Sequence, residues 1–248
     1  AVLDTGVDLK HPALQHLNLP GHKLNAAMPD FVPANPLLHA DADVADAYRK
    51  KGHGTQCVSG ISAKAAAQDA LLGIAPGAEI FIIKINTVDH KFFRVRDCLR
   101  GLEAAANLGV DIVAMSVSWP LEDIMLEGIP KSEVDRVFGL LGQSGAMVIA
   151  ALPNMDEFQS WSGLAASNFP NLRTEVINVG VISHAIFNTR RTEIDAEPGI
   201  HCLASNAKGH FCKINGEYVE EAISSSYATY LVAGISALNF IQWLKMTF

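Results

Sequence analysis

With 248 residues, of which 49% are hydrophobic, the chain is long enough to bury the core of one α/β domain. Its net charge of −7 and pI near 5.7, with the basic residues scattered, argue against a nucleic-acid surface, which needs clustered Lys and Arg. The most apolar stretch, 231–248, is broken by Ser236, Asn239, Gln242 and Lys245, which argues against a membrane span.

In chain order, Ala1-Val2-Leu3 followed by Asp4-Thr5-Gly6 reads as the end of a buried strand running into a turn. Asp4 then stands at the carboxyl edge of the strand, where open α/β sheets gather their ligand chemistry, although an Asp-Thr-Gly alone reads first as a capped turn. Residues 19–51, rich in Pro, Ala, Asn and Asp, show no sustained period and read as a long irregular excursion. Asp41, Asp43 and Asp46 within it read as a solvated acidic loop, since the glycine and terminal glutamate of a calcium loop are missing. At 52–60, Gly-His-Gly-Thr-Gln-Cys-Val-Ser-Gly sets His53 between two glycines, at the head of a small-residue helix that starts near it. A lone His-Gly-Thr is more often the mark of a structural histidine.

Beyond it, strands alternate with helices. Strands are expected at 79–85, 111–117, 146–151 and 175–181, and helices at Val95–Leu108, closed by Gly109, and at 132–143. This order predicts a mostly parallel sheet with helices on both faces. The last helix, 223–245, carries Ser224-Ser225-Ser226 at its head. Serines there ordinarily cap, but the free amides and helix dipole also suit a nucleophile beside which negative charge develops.

Cys57, Cys98, Cys202 and Cys212 form no CxxC pair, so free thiols are the plainer reading, with a Cys202–Cys212 bridge conceivable. No Asn-x-Ser/Thr sequon occurs, which weakly favours an intracellular setting. The chain opens inside an apolar run without a methionine, the pattern of one domain, 1–248, excised from a longer protein.

Taken together, these stretches resemble the subtilisin-like serine peptidases along nearly the whole chain. Ala-Val-Leu-Asp-Thr-Gly-Val-Asp at 1–8 is similar to the family's aspartate motif, the 52–60 stretch to its histidine motif, and Gly-Ile-Ala-Pro-Gly-Ala at 73–78 to the turn that follows. Glu-Pro-Gly-Ile at 197–200 is similar to the segment before the serine region, and Ser-Ser-Ser-Tyr-Ala-Thr-Tyr-Leu-Val-Ala-Gly at 224–234 to Gly-Thr-Ser-Met-Ala-x-Pro-His-Val-Ala-Gly. The resemblance implies a three-layer subtilisin-like α/β fold and a triad in which Asp4 orients the imidazole, His53 moves the proton and Ser226 attacks. It also implies Asn154 as oxyanion donor and a substrate strand laid against Ser116, Ser118 and Trp119. Polypeptide is the substrate it implies, with no metal or organic cofactor and with a propeptide or flanking domains outside these residues.

The departures bear on activity. Gly-Thr before the serine is Ser224-Ser225, Pro-His after it is Tyr230-Leu231, and Ser-Leu-Gly-Gly-Pro is Ser116-Val117-Ser118-Trp119-Pro120, so that Trp119 narrows the cleft or fills a specificity pocket. Leu152 and Pro153 replace small residues before Asn154. A serine endopeptidase is the leading expectation; the alternative is a subtilisin-like domain that binds peptides or regulates without efficient catalysis.

Overall fold

The structure, a computed structural model, describes residues 1–46, 52–65, 72–86, 93–153, 168–180, 208–222 and 224–247. Its regular elements are β1 (Val2–Asp4), β2 (Lys23–Asn25), α1 (His53–Ser62), β3 (Ile82–Lys84), α2 (Val95–Leu108), β4 (Ile112–Met115), β5 (Trp119–Pro120), α3 (Leu121–Leu126), α4 (Lys131–Ser144), β6 (Met147–Ala151), β7 (Asn168–Phe169), β8 (Val176–Val179), β9 (Lys208–Cys212), β10 (Tyr218–Ala222) and α5 (Ser225–Thr247). Six strands form one sheet in the order β2-β3-β1-β4-β6-β8, and every pairing in it is parallel.

The period of two along each strand builds the three layers. Leu3, Ile83, Met115 and Ala150 face one core, shared with Val95, Cys98, Leu99 and Leu102 of α2 and with Val134, Val137, Phe138 and Leu141 of α4. Val2, Ile82, Ala114 and Ile149 face the other, shared with Cys57, Val58 and Ile61 of α1 and with Tyr227, Ala228, Tyr230 and Ala233 of α5. In both helices of the first core the apolar residues recur every three or four positions, which puts them on one face. Each Leu or Ile buried completely in these layers contributes about 1.5–3 kcal/mol relative to exposure. The Glu127 carboxylate closes the start of α2 by accepting from Val95 N at 2.7 Å and Arg96 N at 3.0 Å.

The excursion at 19–51 is more ordered than its composition implies. Lys23–Asn25 joins the sheet as its edge strand, in register with Ile82–Lys84, because pairing to β3 supplies what a three-residue segment with one inward side chain, Leu24, cannot signal by periodicity. The 79–85 and 111–117 strands contract to β3 and β4, and the 223–245 helix runs over Ser225–Thr247. A hairpin, β9 with β10, and a short ribbon, β5 with β7, also form outside the main sheet. Cys57, Cys98 and Cys212 are free and buried; Cys202 and the Glu197–Ile200 segment lie outside the described residues.

Candidate active site

β1 lies inside the sheet between β3 and β4, so Asp4 is delivered to the carboxyl edge and is only 2% exposed. Beside it, Gly52, at φ +77°, turns the chain so that α1 begins at His53 itself. Gly54 permits the close approach: a Cβ there would stand 2.2 Å from the Gly6 carbonyl oxygen and 3.1 Å from Asp4 Cβ. His53 Nδ1 thereby donates to Asp4 Oδ1 at 2.8 Å, and Thr5 N donates to the same oxygen at 2.7 Å. Asp4 Oδ2 accepts from Ser116 Oγ and from Tyr230 OH, each at 2.8 Å. Four donors thus surround one buried carboxylate.

Burial opposes charge on both members of this pair, and their mutual attraction overrides it. For Asp4, burial acts to raise the pKa, but the charge and hydrogen bond of His53, with the donors Thr5 and Tyr230, hold it below the ordinary value. For His53, burial acts to lower it, but the Asp4 charge and hydrogen bond, with help from Cys57, carry the ring well above 6.5. Cys57 Sγ lies 3.8 Å from His53 Nδ1 and 3.9 Å from Ser116 Oγ. Burial pushes its thiol up to about 12, so it stays neutral and is no rival nucleophile at physiological pH. Among the described residues, the group of three that could hold a metal ion is this same Asp4, His53 and Cys57, with ligand atoms within 4.8 Å of one another; no ion is needed to account for their contacts.

A second carboxylate ties the two motifs together. Asp46 Oδ1 accepts from Thr5 Oγ1 at 2.9 Å, and Asp46 Oδ2 accepts from Thr55 N at 2.8 Å and Thr55 Oγ1 at 2.7 Å. Thr5 Oγ1 in turn accepts from Gly54 N at 2.8 Å, and Thr55 Oγ1 from Asp8 N at 3.0 Å. Asp46 is therefore not part of a solvated loop: it is 7% exposed, and burial raises its pKa against the pull of these donors. Asp41 and Asp43 do keep to the surface, Asp41 pairing with Lys23 at 3.1 Å and Asp43 accepting from Ala45 N at 2.9 Å.

The serines sit at the head of α5, which packs against α1. Tyr227 OH donates to Gln56 Oε1 at 2.7 Å, and its ring stacks between Phe211, centroids 4.3 Å apart, and His53, 6.2 Å apart. Ser226 precedes Tyr227, whose ring lies against His53, and stands one helical turn before Tyr230, whose hydroxyl reaches Asp4. Ser225 is buried at 4%, whereas Ser224 and Ser226 are half-buried. Among the described residues Ser226 Oγ makes no hydrogen bond to the His53 ring.

Ser116 and Ser118 are half-buried, and Ser116 turns its hydroxyl to Asp4. Trp119 is 6% exposed: its indole N–H donates to the Phe93 carbonyl at 2.9 Å and the ring lies beside Phe169 in the α2 and α4 core. Asn154 lies outside the described residues.

The family described as Subtilase family matches residues 1–245. The chain belongs to the subtilase family. By family it is a serine-type peptidase, a hydrolase, and subtilases act on polypeptides. Subtilisin BL of Lederbergia lenta is 28% identical over 243 residues, covering 96% of this chain and 74% of that protein. The intracellular serine protease of Paenibacillus polymyxa is 28% identical over 245 residues, covering 96% and 65%. Among solved structures, a variant of the epidermin leader peptide processing serine protease of Staphylococcus aureus superposes with a TM-score of 0.67 at 18% identity, over 96% of this chain and 63% of that one, which supports the fold. Against M-protease of Shouchella clausii the chain spans about half of the relative's length, 52%.

Two residues of this subtilase site escape a reading of the sequence. Tyr230 registers there only as a departure from the family's Pro, and Asp46 only as one of three loop acids. The one available signal is spacing: Tyr230 stands four residues after Ser226 on the same helix, hence on the same face.

Proposed function

We propose that this subtilase hydrolyses internal peptide bonds with Asp4, His53 and Ser226 as its triad. The observation that carries the reading is the 2.8 Å hydrogen bond from His53 Nδ1 to the buried Asp4, beside the helix start that bears Ser226. With Nδ1 donating to Asp4, the ring is held in the tautomer whose Nε2 carries no proton and can accept one. Ser226 Oγ attacks the scissile carbonyl carbon as its proton passes to His53 Nε2, giving a tetrahedral oxyanion. The intermediate then collapses, the C–N bond breaks, and the leaving amine takes the proton from Nε2. Water adds to the acyl-enzyme by the same route, releases the acid and restores Ser226. The Ser226 backbone N–H, at a helix start, is suited to the oxyanion, and Asn154 is proposed as the second donor.

The substrate strand is proposed to run along Ser116–Ser118. With the Trp119 indole drawn toward Phe93 and the Ser116 hydroxyl turned to Asp4, the half-buried Ser118 is left to meet the strand. A fluorophosphonate probe tests the whole reading, since only an activated serine reacts: mass mapping should place the adduct on Ser226. A folded protein that takes up no probe would instead favour a peptide-binding domain without efficient catalysis.

Two further outcomes follow from the same reading. The base must be neutral to accept a proton, and Asp4 raises the pKa of His53, so kcat/KM should climb with pH through a midpoint on the alkaline side of 6.5. A pH–rate profile with a peptide substrate checks this, and a limb at or below 6.5 counts against the His53–Asp4 coupling. Asn154→Ala should lower kcat by roughly 10²–10³ with little change in KM, a magnitude taken over from subtilisin itself. A neutral effect in steady-state kinetics would assign the second oxyanion donor elsewhere.

A further inference from the structure

The side of Asp4 turned away from His53 is closed by a residue that the family motif does not provide. Where that motif carries proline, this chain has Tyr230, which is 1% exposed. Its hydroxyl has three oxygen neighbours: Asp4 Oδ2 at 2.8 Å, Ser116 Oγ at 3.4 Å and the Leu3 carbonyl at 3.5 Å. Only the first is at full hydrogen-bonding distance, so the phenol proton goes to the carboxylate. Burial and the nearby Asp4 charge raise the phenol's pKa well above 10, which keeps it protonated and a donor.

We infer that Tyr230 is a positioning residue for this peptidase, holding Asp4 in the orientation that aims Oδ1 at His53 and setting how basic the imidazole becomes. The inference rests on the triad reading given above. A carboxylate shares its charge among the donors it accepts, so a strong hydrogen bond on Oδ2 reduces what Oδ1 offers to the imidazolium. Removing the phenol leaves one lone-pair direction of a buried carboxylate empty and makes the rest of the group more basic. Loss of the donor should therefore raise the pKa of His53.

The other groups facing the pair do not mimic this. Cys57, from α1, is held neutral by burial, and Asp46, from the loop before α1, has its oxygens occupied by Thr5 and Thr55. Lys84, level with Asp4 on β3, directs its ammonium to the Ala45 carbonyl at 2.6 Å. Ser116, after β4, is uncharged and shares Oδ2 with Tyr230.

The experiment is a titration of the His53 imidazole by NMR in histidine-labelled protein, alongside pH–rate profiles. In Tyr230→Phe the His53 midpoint should move up by about 0.5–1 pH unit, the acid limb of kcat/KM should follow, and kcat should fall roughly threefold to tenfold with KM little changed. Installing 3,5-difluorotyrosine at position 230, a stronger donor of similar size, should move the midpoint down. A pair of opposite shifts is not what lost packing produces, and the second variant serves if the first does not fold. Midpoints within about 0.2 unit of the native protein in both variants would overturn the inference. The NMR readout needs no turnover: shifts in an inactive wild type would put the failure in the peptidase reading and still support the link from Tyr230 to His53.

Discussion

Ser226→Ala is expected to abolish turnover while leaving the fold intact. The change deletes one half-buried hydroxyl at the start of α5, at a cost of about 1 kcal/mol if that oxygen also caps the helix. The contacts that seat the helix do not involve it: Tyr227 remains bonded to Gln56, Tyr230 to Asp4, and Thr229 Oγ1 to the Ser225 carbonyl at 2.8 Å. The rate should fall by roughly 10⁶, the loss measured when subtilisin itself is stripped of its serine. Ser224→Ala and Ser225→Ala should be far milder in turnover, because neither hydroxyl is the proposed nucleophile and alanine keeps the Ser225 carbonyl that accepts from Thr229. Peptide turnover, fluorophosphonate labelling and a thermal melt on the three variants check the choice. Normal turnover in Ser226→Ala would remove it from the mechanism.

What the sequence makes legible is whatever rests on neighbours along the chain. The strands around Leu3, Ile83, Met115 and Ile149 are continuous apolar runs because both of their faces are covered, and α2 and α4 show their apolar residues at helical spacing. His53 starts α1, as two flanking glycines suggest. What stays hidden depends on pairing across the chain. The edge strand β2 exists because β3 offers it a free side. Asp46 reads as a solvated acid because Thr5, which draws it into the interior, lies 41 residues earlier. The Tyr230 hydroxyl finds Asp4 across 226 residues, and a helix of small residues gives no local sign that one aromatic side chain will reach through to the sheet edge.

Asp4→Asn separates the two things this carboxylate does, holding the ring and charging it. The asparagine carbonyl oxygen must face the two N–H donors, His53 Nδ1 and Thr5 N, because neither can turn its proton away. The amide nitrogen then faces the hydroxyls of Ser116 and Tyr230, both of which can rotate and accept. The ring should therefore keep its orientation and tautomer, and the fold should survive. Only the negative charge is lost. Opposite charges about 4 Å apart attract by about 4 kcal/mol at an effective dielectric near 20, so a transition state carrying an imidazolium should lose roughly 10³ in kcat. With the charge gone, burial, the largest influence on His53, outweighs what Cys57 still contributes, and its midpoint should drop below the ordinary 6.5, the direction opposite to that expected for Tyr230→Phe. Plateau kcat from pH–rate profiles and the His53 titration measure both effects on the same protein. A plateau within tenfold of the native enzyme would mean that Asp4 serves by orientation alone, whereas a lowered plateau with an unmoved His53 midpoint would mean that the charge sensed by the ring comes from another group.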